Sequence, residues 1–275
     1  MIKIATFNVN SIRARIDNFK NWLNKSNPDI VLIQELKCTD EQFPFGEFSS
    51  FPYNIETNGQ KSHNGVAIFS KYPLYDVVKE LPLYDIVESD NEARYIEARI
   101  DCGEKTLKIA SVYVPNGAPK VNEVDIKDIT ETGSFYNKMK FCRRLQKYLK
   151  EQLDNDENYI LCGDFNVCPI LEKDIYSVTK DGDITCTEKE RVEFKKFLDV
   201  GYRDIFRDFY KDKQEYTYWG YRPYTSLEKN LGYRLDAILM NNNIAKFVKD
   251  CRVEKEPRHA EKPSDHTPLM ALLDI

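Results

Sequence analysis

The sequence contains eight short apolar runs, rich in β-branched and aromatic residues, that are bounded by polar residues. Runs of this length, bounded by Gly, Pro, Asn or Asp, are typical of strands. They lie at residues 2–8, 29–35, 64–70, 94–100, 107–117, 158–166, 233–240 and 266–275. So many strands with helical stretches between them predict an α/β fold.

Three helices are predicted between these strands. Apolar residues recur at helical spacing from Ile16 to Leu23, and Asn27-Pro28 then ends the pattern. The same periodicity predicts helices over 134–151 and 188–199. Residues 118–133 and 168–187 show no periodicity and are predicted to be long loops, which are often functional in compact domains.

The composition favours one folded domain over residues 1–275. Hydrophobic residues make up 41% of the chain, and we find no internal repeat and no linker rich in Gly, Ser or Pro. The first residues lack the pattern of a secretory signal, and no apolar stretch is long enough to span a bilayer, so no membrane association is expected. The seven cysteines form no CxxC pair, which indicates free thiols in a reducing cytoplasm, with Cys162 and Cys168 as small buried residues.

The net charge of −5 counts against a nucleic-acid-binding protein without excluding one. Net charge averages over the whole surface, and an acidic protein can still present a local basic face.

Polar residues capable of metal or phosphate chemistry follow several of the predicted strands. A single Asp or Asn after a strand is usually a turn residue. Glu35 is different, because Glu is not a favoured turn former and a buried carboxylate needs a partner or a metal. Oxygen ligands of this kind suit Mg²⁺ or Mn²⁺, whereas three histidines without an HxxxH spacing disfavour zinc. The other residues at strand ends are Asn8, Asn10, Tyr113, Asn116, Asp164, Asn166, Asp236, Asp265 and His266.

The segment "YILCGDFN" at 159–166 places an acid and an amide two residues apart after an apolar run. Period-two alternation predicts that Asp164 and Asn166 face the same way and that Phe165 turns to the core. We expect Gly163 to let the backbone approach a substrate closely.

Asp236 allows two interpretations. It could form an ion pair with Arg234, two residues earlier on the same predicted strand face. Alternatively, it could accept a hydrogen bond from His266 and fix the tautomer of that ring. His266 itself could be structural, or it could act as an acid, a base or a phosphate ligand.

Seven motifs, taken together, resemble the exodeoxyribonuclease III / apurinic–apyrimidinic endonuclease family of the endonuclease/exonuclease/phosphatase superfamily. They occur in the family's order and span nearly the whole chain. The motifs are "TFNVNSIRAR", "IVLIQELK", "GQKSHNGVAIFSK", "VYVPNG", "LCGDFNV", "GYRLDAIL" and "KPSDHTPL".

This resemblance implies a four-layer α/β sandwich, DNase I-like, of two packed β-sheets flanked by helices. It implies a Mg²⁺-dependent phosphodiesterase that cleaves duplex DNA 5′ to abasic sites and processes 3′ ends, acting as a monomer. The implied catalytic residues are Tyr113, Asp164, Asn166, Asp236 and His266. The implied metal-site residues are Asn8, Glu35 and Asp265, with Asp164, Asn166 and His266 also near the metal. The implied substrate contacts are Arg13, Arg15, Asn116 and Trp219. The aromatic and basic segment "YTYWGYRPY" at 216–224 itself favours contacts with bases or sugars, with stacking by Trp219 and phosphate contact by Arg222. The alternative is a surface aromatic loop packed on the core.

Two segments depart from the family pattern. Tyr218 and Gly220 flank Trp219 where many relatives carry a further aromatic residue and an acid. Residues 116–134 are acidic and match the family poorly, so we expect this loop to point away from a duplex. Two alternatives remain open from the sequence: a non-catalytic nucleic-acid-binding relative, and a phosphodiesterase of the same superfamily acting on a lipid or sugar phosphate.

Overall fold

The computed structural model describes residues 1–84, 91–120 and 127–275. Within them the chain forms two six-stranded sheets. The strands are β1 Ile2–Asn8, β2 Ile30–Gln34, β3 Asn54–Asn58, β4 Val66–Ser70, β5 Tyr75–Val78, β6 Tyr95–Cys102, β7 Lys105–Tyr113, β8 Tyr159–Asp164, β9 Tyr202–Asp204, β10 Asp236–Asn241, β11 Val248–Val253 and β12 Leu269–Leu273. All eight predicted strands are present.

The three predicted helices are also present, and the described residues form three further short α-helices. The helices are α1 Ile16–Ser26, α2 Gly133–Asp154, α3 Leu171–Asp174, α4 Glu188–Asp199, α5 Ile205–Phe209 and α6 Asn242–Ala245. Helix α1 ends at Asn27, which adopts a left-handed conformation. Helix α4 begins with a capping box in which the Thr187 and Glu190 side chains each bond to the other's backbone N–H.

The first sheet has the strand order β11-β12-β1-β2-β4-β3 and the second β5-β6-β7-β8-β10-β9. Strands β1 and β2 are parallel, as are β7 and β8, and the other paired strands are antiparallel. A parallel pair needs a crossover connection. Helix α1 joins the first pair and α2 lies between the second, so each helix covers one outer face of its sheet.

Three apolar layers hold this arrangement together. Ile4 and Leu32 of the first sheet pack against Ile109 and Ile160 of the second. Outer layers form between the first sheet and α1, and between the second sheet and the helices α2 and α4. The central strands are buried on both faces, which explains their continuous apolar runs. The predicted four-layer α/β sandwich is confirmed.

The sequence did not predict the four strands β3, β5, β9 and β11. These are the edge strands of the two sheets. Edge strands are short or carry exposed polar residues, a feature that prevents edge-to-edge association. The pattern used to identify the inner strands misses both kinds, since "NIETN" in β3 is mostly polar and "YDVV" in β5 is only four residues long.

All seven cysteines are free and buried, as predicted for Cys162 and Cys168. Gly163 packs against the neighbouring strand β7, where a Cβ would lie 1.9 Å from the backbone oxygen of Val112. The prediction that Gly163 approaches substrate is therefore wrong, because the neighbouring strand occupies this space. Across the described ranges, no helix combines the length and apolar character that crossing a membrane would require.

Candidate active site

The strand register brings the polar residues of both sheets to one end of the sandwich. Asn8 ends β1 opposite Gln34, so Glu35 emerges beside it. In the second sheet, Tyr113 lies opposite Asp164 in the parallel pair β7–β8. Asp236 begins β10, also opposite Asp164. The ends of β1, β2, β7, β8 and the start of β10 thus meet at a single edge.

Asn8 connects the two sheets at this edge. Its fully buried Nδ2 donates to Glu35 Oε1 at 2.8 Å and to Asp164 Oδ2 at 2.9 Å. Its Oδ1 accepts from the Asn10 backbone N–H at 3.0 Å. Two carboxylates from different sheets are therefore held on either side of one amide.

His266 forms a pair with Asp236. Its Nδ1 lies 2.8 Å from Asp236 Oδ2, and its Nε2 lies 3.6 Å from Asp164 Oδ2. The Ser264 hydroxyl orients this loop, since it donates to the Asn8 carbonyl and accepts from the His266 backbone N–H. Burial opposes a positive charge on His266, but the nearby Asp236 and Asp164 charges outweigh it and raise the imidazole pKa to about 10. The ring is thus an imidazolium at neutral pH, and Nε2 is its proton-bearing outer atom.

The alternative ion pair between Arg234 and Asp236 is contradicted. Arg234 Nε bonds to Asp174 Oδ1 at 2.6 Å, and its Nη2 lies 2.8 Å from Asp204 Oδ2. The strand β10 begins only at Asp236, so period-two alternation does not extend back to Arg234. Arg234 instead joins Asp174, the last residue of α3, to Asp204 at the end of β9.

Asp164 is fully buried between these groups. Burial raises the pKa of its carboxyl group to about 7, with the His266 charge opposing the shift and the Asp236 charge adding to it. Its Oδ1 accepts from the backbone N–H of Asn166 at 2.8 Å. A carboxylate with a pKa near neutrality is suited to accept a proton from water.

Glu35 faces a cavity of about 430 Å³. Burial of Glu35 is outweighed by the Lys37 ammonium and the Asn8 amide, which lower the pKa of its carboxyl group. Lys37 Nζ lies 2.7 Å from Glu35 Oε2 and also donates to Asn10, whose Nδ2 donates to Asp265 at 2.9 Å. The cavity walls include Glu35, Tyr113, Asn116, Asp164, Asn166, Tyr218, Arg222, Tyr233, Asp265 and His266.

The donor set around this cavity fits a divalent cation. Three carboxylates, those of Glu35, Asp164 and Asp265, border it together with amide and imidazole groups. Ligand atoms of Asp164, Asp236 and His266 also lie within 4.8 Å of one another, but His266 Nδ1 is already bonded to Asp236. Because oxygen atoms dominate the groups that face the cavity, Mg²⁺ or Mn²⁺ suits them better than zinc.

Asn166 and Asn116 form a linked pair of amides at the cavity wall. Asn116 Nδ2 donates to Asn166 Oδ1 at 3.1 Å, and Asn166 Nδ2 donates to the Val114 carbonyl at 2.9 Å. Asn166 lies beyond the end of β8 with a φ of 50°, so a left-handed residue rather than strand alternation directs it to the cavity. Phe165 does turn to the core, where it packs against Phe194.

The predicted substrate residues are only partly at the surface. Trp219 is buried, 1% exposed, and its Nε1 donates to Asn230. The prediction that Trp219 stacks on substrate is therefore wrong, because its indole belongs to the loop's core. Arg222 is exposed at the cavity rim, and Arg13 is also exposed. Arg15 is only partly exposed, and its guanidinium donates to the Asn10 carbonyl and the Tyr221 hydroxyl.

Several residues of the site were not among the predicted ones. Lys37 follows Glu35 by two residues, and that spacing is the signal that could have identified it. The Tyr218 ring contacts the His266 ring, with centroids 4.9 Å apart, and Tyr233 lines the same wall. In the 116–134 loop, residues 121–126 lie outside the described residues, so the direction of this loop stays a prediction.

Comparisons with known proteins agree with this geometry. Residues 5–266 match the model of the endonuclease/exonuclease/phosphatase family. Exodeoxyribonuclease III of Haemophilus influenzae is 28% identical over 98% of this chain and 99% of its own length. An AP endonuclease from Archaeoglobus fulgidus is 36% identical, with a TM-score of 0.88 and full coverage of both chains. The 3′ phosphatase NExo from Neisseria, bound to product DNA hairpin, is 31% identical with a TM-score of 0.90 and full coverage of both chains.

The matched region contains the polar residues that meet at the site, from Asn8 to His266, and every strand except β12 and the first residues of β1. The chain is therefore a nuclease of the endonuclease/exonuclease/phosphatase family, and it belongs to the exodeoxyribonuclease III and AP endonuclease group.

Proposed function

We propose that the protein is a Mg²⁺-dependent DNA-repair phosphodiesterase. It incises duplex DNA 5′ to abasic sites and also removes nucleotides and blocking groups from 3′ ends. The observation that carries this proposal is the meeting of Glu35, Asp164 and the Asp236–His266 pair at one end of the sandwich, where Glu35, Asp164 and His266 border one cavity. The similarity to an AP endonuclease and to a 3′ phosphatase supports both substrate classes.

Glu35 and Asp265 would hold the cation, with Asn8 between Glu35 and Asp164 and with Asn166 and His266 bordering the same space. When bound, the Mg²⁺ or Mn²⁺ ion supplies a Lewis acid that neutralises charge on the phosphoryl oxygens. The carboxylates leave the cavity with an excess of negative charge, which supports occupation by a cation.

The chain's own groups divide the proton chemistry between them. Asp164 accepts the proton of the attacking water, since the pKa of its carboxyl group is about 7. His266 donates a hydrogen bond from Nε2 to a phosphoryl oxygen, because Asp236 keeps the ring protonated at neutral pH. Tyr113 lies beside Glu35 and Asp164, and burial raises the pKa of its phenol well above 10, so it acts as a neutral donor to phosphate.

Substrate recognition uses the rim of the cavity. Arg222 and Arg13 are exposed and contact the phosphodiester backbone of duplex DNA. Asn116 contacts the nucleotide next to the scissile bond, since it lines the cavity beside Asn166. Arg15 acts indirectly, because its guanidinium holds the Asn10 carbonyl and the Tyr221 hydroxyl.

We also propose that residues 1–275 work as one domain and as a monomer in the cytoplasm. The apolar layer between the two sheets is shared by strands from both ends of the chain. The seven free, buried cysteines suit a reducing compartment.

The test is cleavage of a duplex oligonucleotide that carries one tetrahydrofuran abasic analogue. We expect incision 5′ to the analogue with Mg²⁺, none with EDTA, and loss of turnover in Glu35→Ala and Asp164→Ala with the fold retained. A parallel assay with 3′-phosphate duplexes and lipid phosphodiesters measures the substrate class. The proposal would be refuted if no divalent metal supported cleavage of the duplex, or if the lipids were cleaved in preference to it.

A further inference from the structure

A buried ion pair lies directly behind the cavity wall. Lys138 of α2 and Glu190 of α4 contact each other with 1% and 0% of their side chains exposed. We propose that these two residues, which we call the loop clamp, are positioning residues that fix Asn116 and Asn166 for phosphodiester hydrolysis. This inference rests on the proposed function, and neither residue borders the cavity itself.

Lys138 connects two loops that end at the site. Its Nζ donates to the Asn166 carbonyl at 2.6 Å and to the Asn116 carbonyl at 3.2 Å, and also to Glu190 Oε1. These three acceptors use all three N–H donors of the ammonium group. Lys138 therefore bonds to the backbone of the two residues whose linked amides form the cavity wall.

Glu190 connects a third loop to the same point. Its Oε1 also accepts from the Thr185 backbone N–H at 3.2 Å, and its Oε2 accepts from the Thr187 N–H at 2.9 Å and hydroxyl at 2.8 Å. Thr185 lines the cavity. The loop clamp thus contacts the loops after β7, after β8 and before α4, each of which contributes a residue to the cavity wall.

The backbone of these loops needs such support. Asn166 has a φ of 50° and Gly117 a φ of 80°, and the Lys138 stem lies so close to Gly117 that a Cβ there would be 2.9 Å from Lys138 Cδ. Left-handed conformations persist when the surrounding contacts hold them. The clamp supplies such a contact at Asn166, the one non-glycine residue of the two, and at Asn116 it bonds to the carbonyl just before Gly117.

A purely structural role would predict a different pattern. Helices α2 and α4 already pack through an apolar layer that contains Phe141, Leu145 and Phe194. A buried ion pair is often replaceable by apolar residues without loss of stability, so stability alone gives little reason to bury one. The two carbonyl contacts of Lys138 have no part in helix packing, and they account for a cation at this position.

The test compares Lys138→Met with Lys108→Met. Lys108 is a matched control, since it also joins the second sheet to α2, through Gln152, but lies on β7 away from Tyr113. We expect Lys138→Met to lower kcat on the abasic duplex about 10–100-fold with KM changed less than about threefold, because loss of geometry reduces transition-state contacts. Lys108→Met should keep kcat within about threefold of wild type.

Two further variants distinguish a positioning role of Lys138 from a role in folding. Lys138→Arg keeps the charge but not the compact three-donor geometry of the ammonium group, and should retain between about a tenth and a half of the wild-type kcat. Glu190→Gln keeps the shape and should reduce kcat less than Lys138→Met, since it leaves the carbonyl contacts of Lys138 in place. If Lys138→Met does not fold, these two variants give the result, and wild-type kcat in both overturns the inference.

Hydrogen exchange on the metal-free protein provides a readout independent of turnover. In Lys138→Met, backbone amides of residues 114–118 and 165–168 should exchange at least tenfold faster, whereas in Lys108→Met they should not change. If wild type fails to cleave DNA, the proposed function fails, and the exchange result still decides whether Lys138 holds these loops. Unchanged exchange, or equal losses of kcat in both Met variants, would overturn the loop clamp.

Discussion

The hydrogen bond between Asp236 and His266 is the contact whose removal tests the chemistry of this site most directly. In Asp236→Asn the side chain keeps its shape and the amide oxygen can take the place of Asp236 Oδ2 as the acceptor of the bond from His266 Nδ1, but the negative charge is lost. Asp236 Oδ1 has no hydrogen-bond partner within the described part of the chain, so no second contact is broken. We therefore expect the variant to fold and the imidazolium to be destabilised.

The expected fall in the pKa of His266 follows from the strength of its hydrogen bond to the buried Asp236 carboxylate. A hydrogen bond between a charged pair of this kind contributes about 1.5–3 kcal/mol. One pKa unit corresponds to about 1.4 kcal/mol, so the pKa of His266 should fall by about 1–2 units. The wild-type imidazole pKa is about 10. In Asp236→Asn it should be about 8–9, because loss of a nearby negative charge favours the neutral ring.

The assay is a proton–carbon NMR titration of the imidazole groups in metal-free protein. The chain has three histidines, so a His63→Gln/His259→Gln background leaves His266 as the sole imidazole signal. A matched Asp250→Asn variant, which changes a surface carboxylate on β11, should leave the titration unchanged. A wild-type midpoint near 6.5, or the same midpoint in Asp236→Asn, would refute the reasoning.

The same variant predicts a change in the pH profile of catalysis. If the His266 imidazolium donates to phosphate, kcat falls once this ring loses its proton. The alkaline limb of the kcat profile should therefore move to lower pH in Asp236→Asn, and the deficit relative to wild type should grow from pH 7 to about 10–100-fold above pH 10. A deficit that does not depend on pH would assign Asp236 a role other than holding this proton.

Three further predictions concern the cation, the strand contact and the rim. Glu35→Gln should weaken Mg²⁺ binding by at least about tenfold in calorimetry, since it removes a charged ligand, and should abolish the rise in Tm that Mg²⁺ produces in wild type. Gly163→Ala should lower the free energy of unfolding by about 3 kcal/mol or more in urea titrations, because its Cβ would overlap the Val112 oxygen. The control Gly46→Ala, whose Cβ would have nothing within 4 Å, should change this free energy by less than about 1 kcal/mol. Arg222→Ala should weaken binding of uncleaved duplex in EDTA and reduce the slope of log K against log salt by about 1, whereas an unchanged slope would place Arg222 away from phosphate.

The inner strands and most of the site could be predicted because both depend on local patterns. An apolar run buried on two faces identifies an inner strand, and the residue that follows it must lie at the sheet edge. Asn8, Glu35 and Asp164 could therefore be located at strand ends before their distances were known. The edge strands could not be identified in this way, because β3 is mostly polar and β5 has only four residues.

The partners of charged residues could not be predicted from local spacing. A spacing of two allowed an ion pair between Arg234 and Asp236 as one of two interpretations, but the partners of Arg234 are Asp174 and Asp204, 60 and 30 positions away. Trp219 shows the same limit, since the sequence cannot distinguish an aromatic residue that covers a loop's own core from one that faces solvent. Both outcomes depend on tertiary contacts that composition does not encode.

The charge at the site explains how an acidic protein can act on DNA. Glu35, Asp164, Asp236 and Asp265 bring four carboxylates to one edge, against the two nearby cations Lys37 and His266. Such an excess of buried negative charge would repel a phosphodiester unless a further cation were bound there. A divalent cation held by Glu35 and Asp265 would reverse that repulsion and favour binding of the phosphate. The overall charge of −5 is therefore compatible with the proposed DNA substrate, because the proposal requires only this cation and the exposed rim arginines, rather than the whole surface, to meet the phosphates.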